Sequence, residues 1–135
     1  MKLAIFDADG TLTPQRPGST TPFAPGMLPS VKERCNEIRA EGWVLAIASN
    51  QSTRRSRRDV VAQLRWTQRE ISASAIRWAT TGRRRKPKPA MLRELMKQFN
   101  VSPAETIFVG DQETDRQAAE AAGVEFRWEG EFFNK

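Results

Sequence analysis

Two aspartates stand two residues apart directly after the first apolar run of the chain. The run 3–6 is followed by Asp7 and Asp9, and Gly10 then ends the segment. On an extended strand, side chains at positions i and i+2 point to the same side, so the two carboxylates would repel each other unless a cation lay beside them. The pair therefore predicts a site for a metal ion or another cation. An Asx turn with Asp9 and Gly10 at its corner accounts for the same residues without any site.

Polar side chains also follow the other two strongly apolar runs, 43–48 and 106–109. A basic, proline-containing turn between these runs adds a lysine. The polar residues concerned are Ser49, Asn50, Lys86, Asp111 and Asp115. A short apolar run that stops at polar residues is typical of a strand buried on both faces of a parallel sheet.

Apolar runs alternate with helical patterns, which predicts a three-layer α/β fold with a parallel sheet and helices on both faces. We expect a helix from about Pro29 to Gly42, then helices over about 53–65 and 114–122. With 135 residues, the chain 1–135 is expected to form a single domain. The ligand site of such a sheet lies beyond the carboxyl ends of its strands. The six residues expected to converge there are Asp7, Asp9, Ser49, Lys86, Asp111 and Asp115.

Composition limits the chemistry that this site could perform. The chain has no histidine and a single cysteine, Cys35, which excludes an internal disulfide, a Cys/His zinc site and a histidine acid or base. Four carboxylates, a hydroxyl and a lysine suit phosphoryl transfer through an aspartyl phosphate, with Mg²⁺ balancing the charge.

The net charge of +6 favours anionic ligands, from phosphorylated metabolites to nucleic acid, although a need for solubility explains it equally well. Met1 leads straight into the first strand, and no run is long enough to span a membrane. We therefore expect a cytoplasmic protein without a membrane partner.

Four segments of the chain resemble the four motifs of the haloacid dehalogenase superfamily of phosphohydrolases, in order and at the expected strand ends. They are Asp7-x-Asp9-Gly10-Thr11-Leu12-Thr13, Ser49-Asn50, Lys86-Pro87-x-Pro89 and Gly110-Asp111-x-x-Thr114-Asp115. The resemblance implies a Rossmann-like sheet without a substantial cap domain. The segments 49–52 and 85–92 are similar to the capless branch that contains histidinol phosphatase and heptose bisphosphate phosphatase. Many members of that branch bind zinc in a Cys/His loop, but the corresponding loop here has neither residue.

The resemblance implies that Asp7 is the nucleophile that receives the phosphoryl group. It implies that Asp9 is the general acid for the leaving alcohol and then the base for water. Ser49, with Asn50 beside it, would bind the phosphoryl oxygens, and Lys86 would neutralise the nucleophile and the transferred group.

The same resemblance implies an Mg²⁺ site formed by Asp7, Asp111 and the carbonyl oxygen of Asp9, with Asp115 supporting it or binding through water. The residues alone leave three alternatives: Ser49 as a turn residue, Lys88 in place of Lys86, and Asp115 as a helix-start charge. The position before Pro-x-Pro favours Lys86.

Without a cap domain, substrate choice would depend on the loop 14–26 and on arginines near the sheet edge, where Arg54 and Arg85 could clamp a second phosphate. The basic clusters lack the interleaved aromatic residues that single-strand binding tends to use, which favours a small phosphorylated metabolite, such as a sugar phosphate or bisphosphate. The alternatives are a polynucleotide 3′-phosphatase and a protein that binds a phosphorylated ligand without turnover. We expect a monomer, because the aromatic residues near the C-terminus should fold back on the sheet. These aromatic residues are Trp128, Phe132 and Phe133.

Overall fold

Five parallel strands form one sheet in the computed structural model of the protein, which describes residues 1–14 and 26–133. The strands are β1 (Lys2–Phe6), β2 (Trp43–Asn50), β3 (Ala75–Ala79), β4 (Thr106–Gly110) and β5 (Glu125–Trp128). The helices are α1 (Val31–Ala40), α2 (Arg57–Ile71), α3 (Ala90–Phe99), α4 (Glu113–Ala122) and α5 (Glu129–Phe132). Single 3₁₀ turns span Gly82–Arg84 and Pro103–Glu105. The strand order is β3-β2-β1-β4-β5, so β1 lies at the centre.

Successive side chains of β1 enter two separate hydrophobic cores. Ala4 and Phe6 lie in the core that also holds the buried residues of α1 and α2. Leu3 and Ile5 lie in the other core, which holds the buried residues of α3 and α4. Because both faces are covered, β1 has to be apolar at its buried positions 3–6, as its sequence is. The expected three-layer α/β architecture is confirmed, and no large cap domain is present in the described ranges.

Helix α2 differs in both boundaries from the expected span 53–65. It begins at Arg57 because Ser56 caps it, its hydroxyl accepting a hydrogen bond from the Asp59 amide at 3.1 Å. It continues to Ile71 because the stripe of buried residues continues to that position. The polar Thr67 is accommodated in this stripe because its hydroxyl donates to the Gln63 carbonyl at 2.9 Å. Two of the four arginines at 54–58 therefore precede the helix rather than belonging to it.

The C-terminal aromatic residues behave in two ways. Phe132 and Phe133 fold back on the sheet as expected, with ring centroids 5.8 and 5.9 Å from that of Phe6. Trp128 is 39% exposed and contacts Phe126 instead. Residues 15–25, most of the loop expected to border the site, lie outside the described residues. Among the helices that are described, none has the length and apolar character needed to cross a membrane.

Candidate active site

The ammonium group of Lys86 joins two carboxylates at the carboxyl end of the sheet. Its Nζ lies 2.9 Å from Asp7 Oδ1 and 2.6 Å from Asp115 Oδ1, and it also donates to the Ala48 carbonyl at 3.0 Å. Lys86 is only 3% exposed, and its Nζ lies 5.1 Å from the ring centroid of Phe108. The residues brought together here come from the end of β1, from the first turn of α4, which follows β4, and from the turn before α3. The strand ends therefore converge as the sequence predicted.

Burial dominates the electrostatics of this cluster. It raises the pKa of Asp7 to about 6, against the opposing effect of Lys86, and the charge of Asp111 raises it further. Burial and the Asp7 charge likewise raise the pKa of Asp115. For Lys86, burial acts to lower the pKa, but the two carboxylates outweigh it and the pKa is raised. Lys86 is therefore held as a cation. Its single positive charge does not balance the negative charge of the carboxylates around it.

Asp115 is positioned by the backbone that links β4 to α4. Its Oδ2 accepts hydrogen bonds from the amides of Asp111 at 3.2 Å and Gln112 at 3.1 Å, which leaves Oδ1 for Lys86. This approach needs Gly110, because a Cβ there would lie 2.6 Å from Asp115 Oδ2. A carboxylate in the first turn of α4 is also favoured by the helix dipole.

Three carboxylates lie close enough together that they could hold a metal ion. Asp7, Asp111 and Asp115 each offer an oxygen, and these oxygens lie within 4.8 Å of one another. Thr11 Oγ1 and Gln112 Nε2 donate to the two oxygens of Asp111, at 3.4 and 3.3 Å. An all-oxygen, all-anionic set suits a hard cation such as Mg²⁺. The carboxyl group of Asp9 is not part of this set, and the role of its carbonyl oxygen as a ligand stays a prediction.

The turn that carries Lys86 is paired with the end of β2. Asn50 accepts a hydrogen bond from the Lys86 amide at 2.9 Å and donates to the Lys86 carbonyl at 3.0 Å. Arg85 donates from Nη1 to the carbonyls of Gln51 and Thr80, both at 3.1 Å. These contacts direct Lys86 into the site, whereas Lys88 is exposed.

A cavity of about 580 Å³ opens above the cluster. Six of the sequence-predicted residues line it: Asp7, Asp9, Asn50, Arg85, Lys86 and Asp115. Three do not. Asp111 lies beside the cavity in the carboxylate group, Ser49 is fully buried, and Arg54 is exposed. The Ser49 hydroxyl donates to the Asn50 carbonyl at 3.3 Å.

Two residues that the sequence analysis did not single out are part of the cavity wall, Gln51 and Arg55. The arginine side chain is only 4% exposed, and its Nη1 lies 3.8 Å from Asp9 Oδ2. Four arginines stand within five positions here, and the sequence analysis had no basis for deciding which of them would be buried. The Ser56-x-x-Asp59 cap would have helped, since it starts α2 after Arg55 and leaves that residue in the preceding turn.

The fold and the acidic site define an α/β protein of the Rossmann-like class with a candidate metal and phosphate site. The sequence profile of the haloacid dehalogenase-like hydrolases matches residues 20–128. The chain belongs to this family.

Two curated relatives are phosphatases. The chain is 27% identical over 150 residues to D-glycero-beta-D-manno-heptose-1,7-bisphosphate 7-phosphatase of Rhodopseudomonas palustris, covering 95% of this chain and 83% of the relative. It is 34% identical over 100 residues to a phosphoglycolate phosphatase of Pseudomonas putida KT2440, covering 72% of this chain. The chain matches only 34% of the length of that relative.

The solved structure of D,D-heptose 1,7-bisphosphate phosphatase from B. bronchiseptica, complexed with magnesium and phosphate, is also similar. It superposes with a TM-score of 0.82 at 26% identity, covering 93% of this chain and 79% of the other. The similarity therefore extends over nearly the whole sheet and its helices.

Proposed function

We propose that the protein is an Mg²⁺-dependent phosphatase that hydrolyses a small phosphomonoester through an aspartyl-phosphate intermediate. The observation that carries the proposal is the buried Asp7 carboxylate, paired with Lys86 and within reach of two further carboxylates at the mouth of a polar cavity. We propose that residues 1–135 act as one phosphohydrolase domain.

In the first step, an Asp7 carboxylate oxygen attacks phosphorus. A bond from Asp7 to phosphorus forms as the bond from phosphorus to the ester oxygen breaks. The departing oxygen takes a proton from the Asp9 carboxyl group, so an alcohol leaves. Lys86 holds Asp7 in place through its 2.9 Å contact and offsets negative charge on the transferred group.

In the second step, a water molecule attacks the phosphorus of the aspartyl phosphate. Asp9 takes a proton from that water, inorganic phosphate leaves, and the Asp7 carboxylate is restored. Asp9 thus returns to the protonated form in which it began. Asp9 lines the cavity and its side chain is 20% exposed, so water has access to it.

We propose that Asp7, Asp111 and Asp115 hold the metal ion, because their oxygens cluster and no cation other than Lys86 is hydrogen-bonded to Asp7 among the described residues. Bound there, Mg²⁺ would offset the charge of the carboxylates and of the incoming phosphate. The raised pKa of Asp7 supports the fit, because a second cation would favour the ionised nucleophile.

A small phosphorylated metabolite is the proposed substrate. The relatives are named for heptose bisphosphate and phosphoglycolate, and a cavity of about 580 Å³ suits ligands of that size. Arg85 lines the cavity and remains the candidate for a second anionic group. Arg54 is exposed and away from the cavity wall, so it has no part in this proposal.

A polynucleotide 3′-phosphatase is the second candidate, because one observation favours it. A groove lined by Arg57, Trp78 and Arg84 shares Thr80 and Thr81 with the main cavity, and the Arg57 guanidinium lies 5.6 Å from the Trp78 ring centroid. A base could stack on such a tryptophan. Arg84 is already paired with Glu94, which leaves the groove less basic than its arginines suggest.

The proposed reaction is tested with 4-nitrophenyl phosphate in Mg²⁺ and in chelator, using wild type, Asp7→Asn and Asp59→Asn. We expect turnover by wild type in Mg²⁺, and a loss of at least about a thousandfold in kcat with Asp7→Asn, as removal of a catalytic nucleophile typically gives. Asp59→Asn is the matched control, since Asp59 lies on α2 outside the cavity. Turnover that persists in both chelator and Asp7→Asn would rule out this mechanism.

The substrate class is tested with a panel of phosphoglycolate, sugar phosphates, bisphosphates and a 3′-phosphorylated oligonucleotide at low and moderate salt. The highest kcat/KM is expected for a small metabolite. A higher value for the oligonucleotide that falls steeply with salt would favour the second candidate, because released counterions make nucleic-acid binding salt-dependent. Binding of phosphate without turnover of any panel member would favour a binding protein.

A further inference from the structure

The side-chain amide of Gln51 connects two groups of the candidate site. Its Nε2 donates to Ser49 Oγ at 2.8 Å and lies 3.5 Å from Asp9 Oδ2. Its Oε1 accepts from Arg55 Nη1 at 3.1 Å. Gln51 is 3% exposed, so these contacts are shielded from water. In the absence of substrate, catalytic hydrogen bonds are often as long as the contact with Asp9.

Arg55 determines which way this amide points. A guanidinium group only donates hydrogen bonds, so the amide oxygen of Gln51 has to face Arg55 and the amide nitrogen has to face Ser49 and Asp9. Arg55 itself lies in the turn before α2, where its amide donates to the Ser52 carbonyl at 3.3 Å. The orientation therefore follows from the fold of the segment 51–56.

Both contacts with Asp9 reach the same oxygen. Gln51 Nε2 and Arg55 Nη1 approach Oδ2 at 3.5 and 3.8 Å, whereas Oδ1 is buried and has no hydrogen-bond partner among the described residues. An aspartate side chain has only two rotatable bonds, so contacts that hold one carboxylate oxygen also restrict the position of the other. The geometry of Asp9 thus depends on two residues that do not belong to the acid cluster.

We propose that Gln51 and Arg55 are positioning residues that hold the Asp9 carboxyl group at the ester oxygen of the substrate. This inference rests on the proposed function, in which Asp9 protonates the leaving group. Gln51 contacts Asp9 directly, and Arg55 acts mainly by orienting Gln51. Loss of either residue leaves the nucleophile and the carboxylate cluster in place but lets the acid move away from the departing oxygen.

The inference predicts an effect that depends on the leaving group. A good leaving group departs without a proton, so a misplaced acid costs little, whereas a poor leaving group needs the proton in the transition state. The probes are 4-nitrophenyl, phenyl and benzyl phosphate, which share a six-membered ring and differ in the acidity of the alcohol released. The parameter is kcat/KM, which reports the steps up to departure of the leaving group.

With Gln51→Ala we expect kcat/KM for benzyl phosphate to fall at least about tenfold further than for 4-nitrophenyl phosphate, part of the usual contribution of a general acid. Arg55→Met is expected to lower the ratio of kcat/KM for benzyl phosphate to that for 4-nitrophenyl phosphate in the same direction, and Arg55→Lys to lower it less. Asp9→Asn, which removes the proposed acid, gives the largest change in this ratio that loss of its positioning could cause. The ratio between substrates does not depend on the fraction of folded protein, so a folding defect cannot mimic the result.

Arg69→Met is the matched control, since Arg69 is exposed in the last turn of α2, far along the helix from Arg55. It is expected to leave both rates and their ratio unchanged. Because Arg55 acts through Gln51, the double variant Gln51→Ala with Arg55→Met should show the ratio of Gln51→Ala alone rather than the product of the two shifts.

The outcomes separate this inference from the proposed function. If wild type hydrolyses the three esters and the Gln51 and Arg55 variants lower all three rates by the same factor, the inference is wrong and the proposed function stands. If wild type hydrolyses none of them in Mg²⁺, both fail. A ratio that shifts with Arg55→Met but not with Gln51→Ala also overturns the inference.

Discussion

Lys86 has three hydrogen-bond donors, and each has an acceptor in the fold: Asp7, Asp115 and the Ala48 carbonyl. A lysine used in this way orients its partners, because rotation of the ammonium group would break at least one contact. The burial that makes this contact strong also raises the pKa of Asp7. At the residue scale, the candidate site therefore stores electrostatic strain on Asp7, the proposed nucleophile.

That strain predicts a pH-dependent stability. Asp7 binds its proton more tightly in the folded state, with a pKa of about 6, than in the unfolded state, near 3.8. Its contribution to stability is therefore full below pH 3.8 and is lost as the pH rises through 6. The difference corresponds to about 3 kcal/mol. In chelator, Asp7→Asn should raise the free energy of unfolding relative to wild type at pH 7.5, by up to that amount.

Urea unfolding of wild type and Asp7→Asn at pH 4.5 and pH 7.5 measures this difference. At pH 4.5 the two proteins should differ much less, because Asp7 is then largely protonated. The chain has no histidine, so the other side chains that titrate near these values are carboxyl groups, of which Asp115 also has a raised pKa. A variant that is less stable than wild type at pH 7.5 contradicts the prediction.

Mg²⁺ should relieve the same strain. We expect the melting temperature at pH 7.5 to rise with Mg²⁺ concentration, because a ligand that binds only the folded state stabilises it. Asp111→Asn should weaken this response at least about tenfold in apparent Kd, since it removes one of three anionic ligands. Thermal unfolding over a Mg²⁺ series measures both effects without any assay of activity. Equal responses in wild type and Asp111→Asn would remove Asp111 from the metal site.

At the scale of elements, the junction of β4 and α4 holds the site most tightly. Gly110 ends β4, and the next two amides bind Asp115. A methyl group on Gly110 would contact the Asp115 carboxylate, its Cβ and its Cγ at 2.6–2.7 Å, so the helix start would have to move. The absence of a side chain at one position thus allows a carboxylate from α4 to reach Lys86.

Gly110→Ala should therefore lower the free energy of unfolding by about 2 kcal/mol, within the range found for overpacked sites. It should also weaken the stabilisation by Mg²⁺, because Asp115 moves with the helix start. Urea unfolding with and without Mg²⁺ measures both.

Gly130→Ala is the control for this change. Gly130 lies in α5, and a Cβ there meets no atom within 4 Å. Its effect on stability is expected to stay within about 0.5 kcal/mol, as for other surface changes. If Gly110→Ala is as mild as Gly130→Ala, the close packing at the β4 to α4 junction does not limit the site.

At the scale of the whole molecule, the C-terminal segment packs against β1, the strand that leads to Asp7. Phe133 is 1% exposed, and its ring stacks on Phe6, the residue before Asp7. Phe133→Ala should cost about 3–4 kcal/mol of unfolding free energy, the usual loss for a buried phenylalanine. Trp128→Ala, at a partly exposed tryptophan, should cost less. Equal costs in urea unfolding would show that the segment does not complete the core.

The expected monomer stays a prediction, to which burial of both phenylalanines is relevant because it leaves Trp128 as the exposed aromatic residue of the described C-terminal segment. Sedimentation at micromolar concentration should give the mass of a single chain. Trp128 remains partly exposed, so a stable dimer that Trp128→Ala dissociates would reverse this expectation.

The sequence by itself determined the fold class and the acids at the strand ends. The apolar runs of β1, β2 and β4 each stop at polar residues, so the ends of these runs can be recognised from the sequence, and parallel pairing brings such ends to one edge of the sheet. The choice of Lys86 over Lys88 came from the Pro-x-Pro that follows it. The contact of Lys86 with Asp7 agrees with that choice.

Only the tertiary structure decided which side chains surround Asp9. The sequence has arginines at positions 54, 55, 57 and 58, and the residue type alone does not indicate which of them is buried. Arg55 is the buried one because the turn before α2 directs it inward, against Gln51, while Arg54 faces solvent. The direction of a side chain in a turn depends on backbone angles and on packing against residues distant in sequence. For the same reason, Ser49 could be assigned to a strand end, but its complete burial could not be predicted.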